Sequence, residues 1–125
     1  MRLLLDTHIF LWAVAGSAAL KREARRMIEA ADQVYVSAAS IWEVAIKASL
    51  GRIEADANQL AAAIDPSGFV ELPVTAVHAA GVAALAPHHA DPFDRLLVAQ
   101  AMAEPLRLLT ADAVLTKYSE LVILV

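Results

Sequence analysis

Four short, continuous runs of apolar residues constrain the fold of this chain more than any other feature of its sequence. They cover residues 2–6, 34–37, 107–110 and 121–125, and a weaker fifth run covers 69–73. Strands with one face in water alternate apolar and polar residues, whereas strands buried on both faces of a parallel sheet are apolar throughout. The runs therefore predict a central parallel sheet with helices on both faces.

Helical patterns fill the segments between these runs, and capping residues mark where each helix should begin. The expected N-terminal residues are Ser17, Ser40, Asp56, Thr75 and Asp91. Serine, threonine and aspartate are favoured N-caps, and the helix from Ser40 should end at Gly51 because glycine commonly follows a helix. The alternation of strands and helices predicts an α/β fold with a parallel sheet of four to five strands.

Composition narrows the class of protein. The length of 125 residues suits one domain, residues 1–125, and the absence of cysteine excludes disulfides and thiolate metal sites. This suits a cytoplasmic protein, and no apolar run approaches the roughly 20 residues of a membrane span. The net charge is −4. A nucleic-acid substrate would therefore require a local positive charge such as a bound divalent metal.

Three aspartates occupy positions where ligands bind in parallel sheets. Asp6 ends the first apolar run and Asp112 follows another, so both belong to the carboxyl edge of the sheet. Each could instead serve only as a helix N-cap. Asp94 lies one turn into a helix, on the same face as Leu97 and Val98. A carboxylate on that inward face is costly unless it is paired or metal-bound, which favours a functional role.

Glu43 and Asp91 have good structural explanations. Ser40 and Glu43 match a capping box, and Lys47 follows Glu43 at the spacing of a helical ion pair. Taken alone, Glu43 is therefore interpreted as structural. Asp91 precedes Pro92, which is typical of an N-cap before the first helical residue.

The acids carry more information together than singly. A parallel sheet would bring Asp6, Glu43, Asp94 and Asp112 to one edge. Thr110 at a strand end could hydrogen-bond a neighbouring carboxylate or simply cap its strand. Crowded carboxylates raise one another's pKa values, and hard divalent cations such as Mg²⁺ or Mn²⁺ relieve the repulsion. Such a site suits phosphodiester hydrolysis, because the metal activates water and stabilises the leaving oxygen.

Two adjacent histidines precede this helix. His88 and His89 could be zinc ligands or an acid–base pair, but zinc hydrolases need three protein ligands, and His8 and His78 lack suitable spacing. We interpret His88 and His89 as residues that line the pocket mouth or contact a substrate phosphate. A plain loop role is the alternative.

Ordered motifs extend this interpretation. LLLDTHIFLW, SAASIWEVAIKASLGRI, HHADPFDRLLVAQA and LLTAD resemble, in that order, the motifs of PIN-domain proteins, and more closely those of VapC toxins from toxin–antitoxin pairs. The resemblance runs from Leu3 to the final strand. It implies a PIN-like fold and an Mg²⁺- or Mn²⁺-dependent endoribonuclease. The implied catalytic and metal-binding residues are Asp6, Glu43, Asp94 and Asp112.

The resemblance also implies partners. Such proteins are typically homodimers that cleave RNA and are inhibited by a cognate VapB-like antitoxin, whose C-terminal segment lies over the cleft and often inserts a basic side chain. The alternative function is a non-catalytic interaction domain with a vestigial acidic pocket. A phosphatase with an aspartyl nucleophile ranks lower, because His8 stands where a second acid is expected.

Overall fold

The computed structural model describes residues 1–125 and contains a five-stranded parallel sheet. The strands are β1 (Arg2–Leu5), β2 (Gln33–Ser37), β3 (Val70–Leu72), β4 (Arg107–Thr110) and β5 (Val122–Leu124). Their order in the sheet is β3-β2-β1-β4-β5, and every neighbouring pair is parallel. The α/β fold with a parallel sheet is thus confirmed, and the weakest apolar run forms an edge strand.

Six helices surround the sheet. They are α1 (Thr7–Ala15), α2 (Arg22–Ala30), α3 (Ala38–Ser49), α4 (Ala57–Ala63), α5 (Ala76–Gly81) and α6 (Pro92–Ala103). Two short 3₁₀ helices cover Val82–Ala84 and Ala113–Lys117. None of the helices combines the length and hydropathy that a membrane span requires.

The central strands are buried on both faces. Side chains alternate along a strand, so Leu3 and Leu5 face one side of the sheet and Leu4 faces the other. Leu3 and Leu5 pack in one cluster with Phe10 of α1, whereas Leu4 packs in a second cluster with Leu97 of α6. Each of these side chains is fully buried. This two-sided burial explains why the strand sequences are continuously apolar.

Three of the expected helix starts are confirmed by their side-chain caps. Asp56 accepts hydrogen bonds from the first turn of α4, and Asp91 does the same for α6, where Pro92 is the first helical residue. Thr75 and His78 form a capping box at the start of α5. The glycine expected after α3 is also found, because Gly51 follows the helix with a φ of 69°.

The expected start of the second helix at Ser17 is wrong. α1 ends at Ala15, and Gly16 follows it in a left-handed conformation with a φ of 62°. The Ser17 hydroxyl then accepts a hydrogen bond from the backbone N–H of Ala19, so it stabilises a turn. α2 begins later, at Arg22, without a side-chain cap.

The expected start of the third helix at Ser40 is also wrong. Ser37, the last residue of β2, is the N-cap of α3, and its hydroxyl accepts from the N–H of Ala39. The strand therefore continues directly into the helix. Ser40 and Glu43 both lie inside α3, so they do not form the capping box that their spacing suggested.

Candidate active site

The ends of β1 and β4 bring Asp6 and Asp112 to the same edge of the sheet. Thr110, the last residue of β4, connects them: its hydroxyl donates a hydrogen bond to Asp6 Oδ2 and accepts one from the Asp112 backbone N–H, at 3.0 Å. The backbone N–H of Asp6 also continues the sheet by donating to the Leu109 carbonyl, at 3.0 Å. Of the two roles considered for Thr110, the hydrogen bond to a neighbouring carboxylate is the one found.

Asp6 has the N-cap role considered from sequence and also lies at the carboxyl edge of the sheet, directly after β1. Its Oδ1 atom caps α1 by accepting from the N–H of Ile9 at 2.9 Å, and the residue is only 5% exposed. Burial raises the pKa of its carboxyl group, and the nearby Glu43 charge adds to the effect, whereas hydrogen bonds from Thr110 and Ile9 oppose it. A buried carboxylate with a raised pKa is one that a cation would stabilise.

Asp94 lies on the inward side of the first turn of α6, as its spacing predicted. Its side chain is one-fifth exposed, and its pKa is raised to about 7. Burial is the main cause, followed by the negative charges of Asp91, Glu43 and Asp6, while His89 acts in the opposite direction. Three further acids therefore lie close enough to Asp94 to oppose its ionisation.

His89 lies between two of these carboxylates. Its Nε2 atom is 2.9 Å from Asp112 Oδ2 and 3.5 Å from Asp94 Oδ2. Ligand atoms of these three residues all lie within 4.8 Å of one another, which is close enough to surround a metal ion. His88 differs, because it is exposed and its ring packs edge-on to Tyr118 with the ring centroids 5.1 Å apart. The two histidines therefore have separate environments.

Glu43 reaches the site from α3 and is only 2% exposed. Its Oε1 atom accepts a hydrogen bond from the Thr7 hydroxyl at 2.7 Å, and Oε2 forms an ion pair with Lys47. The expected Glu43–Lys47 pair is thus confirmed. Since Glu43 is buried against groups from other elements, capping of its own helix does not explain its position.

Asp6, Asp94 and Asp112 line one cavity of about 390 Å³. His8 and Trp12 of α1 complete much of its wall, whereas Glu43 is not among the lining residues. A larger open groove of about 980 Å³ lies beside it and shares His8 and Trp12 as walls. This groove is bounded by α1, residues 52–56 and α4, and its lining is about half apolar residues.

Sequence reasoning missed several residues that support the site. Thr7 holds Glu43, and the Tyr118 hydroxyl accepts a 2.8 Å hydrogen bond from the backbone N–H of His89. Arg95 donates to the same hydroxyl at 3.3 Å and to three backbone carbonyls within residues 82–86. Thr7 and Arg95 each directly follow a candidate acid, which was an available signal. Nothing in the local sequence marked Tyr118.

The donor set suits a hard divalent cation. The candidate ligands are predominantly carboxylate oxygens, which Mg²⁺ and Mn²⁺ prefer. Burial is the main cause of the raised pKa values of Asp6 and Asp94, and the negative charges of neighbouring acids raise both further. A divalent ion among the carboxylates would remove that repulsion.

Comparison with known proteins decides the family. The sequence model described as the PIN domain matches residues 3–121. The chain belongs to the PIN-domain family. This PIN domain is also 34% identical over 115 residues to Ribonuclease VapC22 of Mycobacterium tuberculosis. That alignment covers 87% of this chain and 85% of the relative, which places the protein with the VapC-type PIN domains.

Solved structures have the same fold. The structure of VapBC2 from Rickettsia felis, bound to a promoter DNA fragment, contains a chain with a TM-score of 0.70 and 16% identity, covering 100% of this PIN domain and 98% of that chain. A chain of a toxin–antitoxin complex from Klebsiella pneumoniae gives a TM-score of 0.67 and 22% identity, with coverages of 97% and 95%. The PIN-like fold expected from the motifs is confirmed.

Proposed function

We propose that this PIN domain is an Mg²⁺- or Mn²⁺-dependent endoribonuclease, the toxin component of a toxin–antitoxin pair. The observation that carries the proposal is the single cavity lined by Asp6, Asp94 and Asp112, with Glu43 close enough to raise the pKa of Asp94. The relative with 34% identity bears the name of a ribonuclease, which supports the same activity.

Each acid has a proposed role. Asp6, Asp94 and Asp112 would hold the metal, and Glu43 would complete its shell or orient a water molecule. A divalent ion bound at such a site polarises a phosphoryl oxygen and lowers the pKa of an attacking water. The chain itself would orient the carboxylates for metal binding. The Thr110 hydroxyl, for example, donates a hydrogen bond to Asp6.

The alternative, a non-catalytic interaction domain with a vestigial acidic pocket, is not favoured. A vestigial pocket need not keep its acids or the groups that orient them. Here Glu43 is still held by Thr7, and the three other acids still line one cavity. The similarity to a named ribonuclease also argues for a working enzyme.

A VapB-like antitoxin and a second copy of the chain are the proposed protein partners. The 980 Å³ groove beside the acids is open, and its half-apolar lining suits an apolar segment of the antitoxin. Since the net charge is −4 and the acids lie next to this groove, a basic side chain on that segment would be attracted to the site. A cytoplasmic location stays a prediction.

A nuclease assay on the purified chain tests the activity. Single-stranded RNA should be cleaved with added Mg²⁺ or Mn²⁺, and a chelator should stop the reaction. Asp6→Asn should lower the cleavage rate by more than about 100-fold, because loss of a metal ligand should exceed the 10–100-fold cost typical of outer-shell changes. Asp65→Asn is the matched control, since Asp65 is exposed and its side chain makes no hydrogen bond.

Two results would contradict the proposal in different ways. Wild-type chain that cleaves no RNA with either metal would reject the nuclease activity. Full cleavage by Asp6→Asn would reject the assignment of Asp6 as a ligand while leaving the activity in place.

A further inference from the structure

The ring of His89 occupies a position that the acids alone do not explain. Ionised carboxylates only accept hydrogen bonds, so Asp94 and Asp112 gain from a donor placed between them. The Nε2 atom of His89 is that donor candidate, at 2.9 Å from Asp112 Oδ2 and 3.5 Å from Asp94 Oδ2. The side chain is only about one-fifth exposed, so water competes weakly for these contacts.

The other ring nitrogen fixes where the proton lies. His89 Nδ1 is 3.0 Å from the backbone nitrogen of Asp91, which can only donate. Nδ1 must therefore accept, which means that it carries no hydrogen. In a neutral imidazole one nitrogen donates and the other accepts, so the hydrogen is on Nε2 and is directed at the two carboxylates.

This arrangement opposes metal ligation by His89. Ligation through Nε2 would require a lone pair there, and the ring hydrogen would then have to be on Nδ1. That hydrogen would face the Asp91 N–H across 3.0 Å, leaving two donors opposed and without an acceptor. By spacing alone, His89, Asp94 and Asp112 could be three metal ligands. The backbone N–H of Asp91, however, favours the tautomer of His89 that carries its hydrogen on Nε2.

The backbone of His89 is held as firmly as its ring. Its N–H donates to the Tyr118 hydroxyl at 2.8 Å, and the same hydroxyl accepts from Arg95 at 3.3 Å. Arg95 in turn donates to backbone carbonyls of Val82, Leu85 and Ala86. These hydrogen bonds through Tyr118 and Arg95 connect the backbone of His89 to α6 and to residues 82–86.

We propose that His89 is a positioning residue, which donates from Nε2 to hold Asp94 and Asp112 at ligand spacing and does not itself bind the metal. The inference rests on the metal site of the proposed function. Outer-shell groups that orient ligands commonly change metal affinity by about 10–100-fold when they are removed.

Nuclear magnetic resonance of the wild-type chain tests the hydrogen position directly. Long-range ¹H–¹⁵N spectra of the histidine rings should show His89 protonated on Nε2 in the metal-free protein and still protonated there with saturating Mg²⁺. His78 is an internal reference of the same kind outside the acid cluster, because its Nδ1 accepts from the Thr75 N–H at 3.1 Å and its Nε2 contacts the carboxylate of Glu104. A shift of the His89 hydrogen to Nδ1 on adding Mg²⁺ would overturn the proposal.

Two amide substitutions of different reach test the donor role. The side-chain amide nitrogen of His89→Gln lies about as far from the backbone as Nε2 does in histidine. The shorter side chain of His89→Asn places its amide nitrogen only as far from the backbone as Nδ1. Calorimetry with Mg²⁺ should give an affinity within a few-fold of wild type for the glutamine variant and about 10–100-fold weaker for the asparagine variant. Asp65→Asn is the control and should bind Mg²⁺ as wild type does, because Asp65 is exposed and its side chain makes no hydrogen bond.

The outcomes separate this inference from the proposed function. Equal Mg²⁺ affinity in His89→Asn and wild type would reject the positioning role even if the wild-type chain cleaves RNA. If the Gln and Asn variants lost Mg²⁺ affinity equally, hydrogen-bond donation from the position of Nε2 would be rejected as the role of His89. If the binding pattern appears as expected but no RNA is cleaved, the nuclease function fails while the role of His89 stands.

Discussion

Lys47 forms an ion pair with Glu43 one turn earlier on α3, and its ammonium also lies 3.9 Å from the carboxylate of Asp91. The pKa of Lys47 is raised, mainly by its hydrogen bond to Glu43, with smaller contributions from the charges of Asp91 and Asp94, while partial burial opposes the shift. Lys47 is therefore a cation that the chain itself supplies to the acid cluster. It balances part of the charge that a bound divalent ion would otherwise balance.

Replacing Lys47 by methionine should destabilise the metal-free protein. Glu43 is buried and would lose its charged partner, so we expect the free energy of unfolding to fall by about 1–3 kcal/mol. Urea denaturation in the presence of a chelator measures this change. Lys47→Arg keeps the positive charge and should lose much less stability. Equal stability of wild type and Lys47→Met would show that the Glu43–Lys47 pair does not stabilise the fold.

The raised pKa of Asp94 predicts a pH effect of definite sign. The pKa of Asp94 is about 7 in the folded, metal-free chain against an ordinary value of 3.8, so between these values the folded state holds more protons than the unfolded state. The contribution of Asp94 to stability therefore falls as the pH rises from about 4 to about 7. Asp94→Asn should remove this part of the pH dependence, as measured by urea denaturation with a chelator at several pH values.

The same carboxyl group should release its proton when Mg²⁺ binds. Calorimetry near neutral pH, in buffers of different ionisation enthalpy, should therefore show proton release by wild type, and Mg²⁺ affinity should rise with pH through about 7. Asp65→Asn is the control and should release protons as wild type does. Proton-free binding by the wild-type chain would contradict the shifted pKa.

Much of the fold was predictable because the strands are buried on both faces. Continuous apolar runs locate the sheet directly, and side-chain caps at Asp56, Thr75 and Asp91 located three helices. The Ser40 error arose because Ser37, three residues earlier, is an equivalent cap and is the one that α3 uses. Ser17 also matches the N-cap preference, but its hydroxyl stabilises a local turn instead.

The site was predictable only in part. Asp6 and Asp112 could be placed at one edge because parallel strands end together, and Asp94 could be placed inward by helical spacing. The environment of Glu43 could not be read locally, since its partner Thr7 lies on a different helix. The contact between His89 and Asp112 likewise joins separate segments, which no local pattern encodes.

Loss of the Thr110 hydroxyl should affect both stability and metal binding. Thr110→Val would leave the buried Asp6 carboxylate without its side-chain donor, which should cost about 1–3 kcal/mol of stability. Mg²⁺ affinity should fall by about 10–100-fold, because Asp6 would no longer be oriented. Thr110→Ser keeps the hydroxyl and should retain most of the stability and most of the Mg²⁺ affinity. Unchanged Mg²⁺ affinity in Thr110→Val would contradict the role of Thr110 in orienting Asp6.

Partner binding in the groove beside the acids should be sensitive to Val14 of α1. Val14 lines this groove and is 37% exposed, so a charge there should be compatible with folding but not with an apolar segment of the partner. Val14→Glu should weaken binding of the proposed VapB-like antitoxin by at least about tenfold, or ~1.4 kcal/mol, as measured by calorimetry. Val77→Glu is the matched control, because Val77 is 72% exposed on α5 and does not line the groove. Both variants should bind Mg²⁺ as wild type does, and equal antitoxin affinity for the two would place the partner elsewhere on the surface.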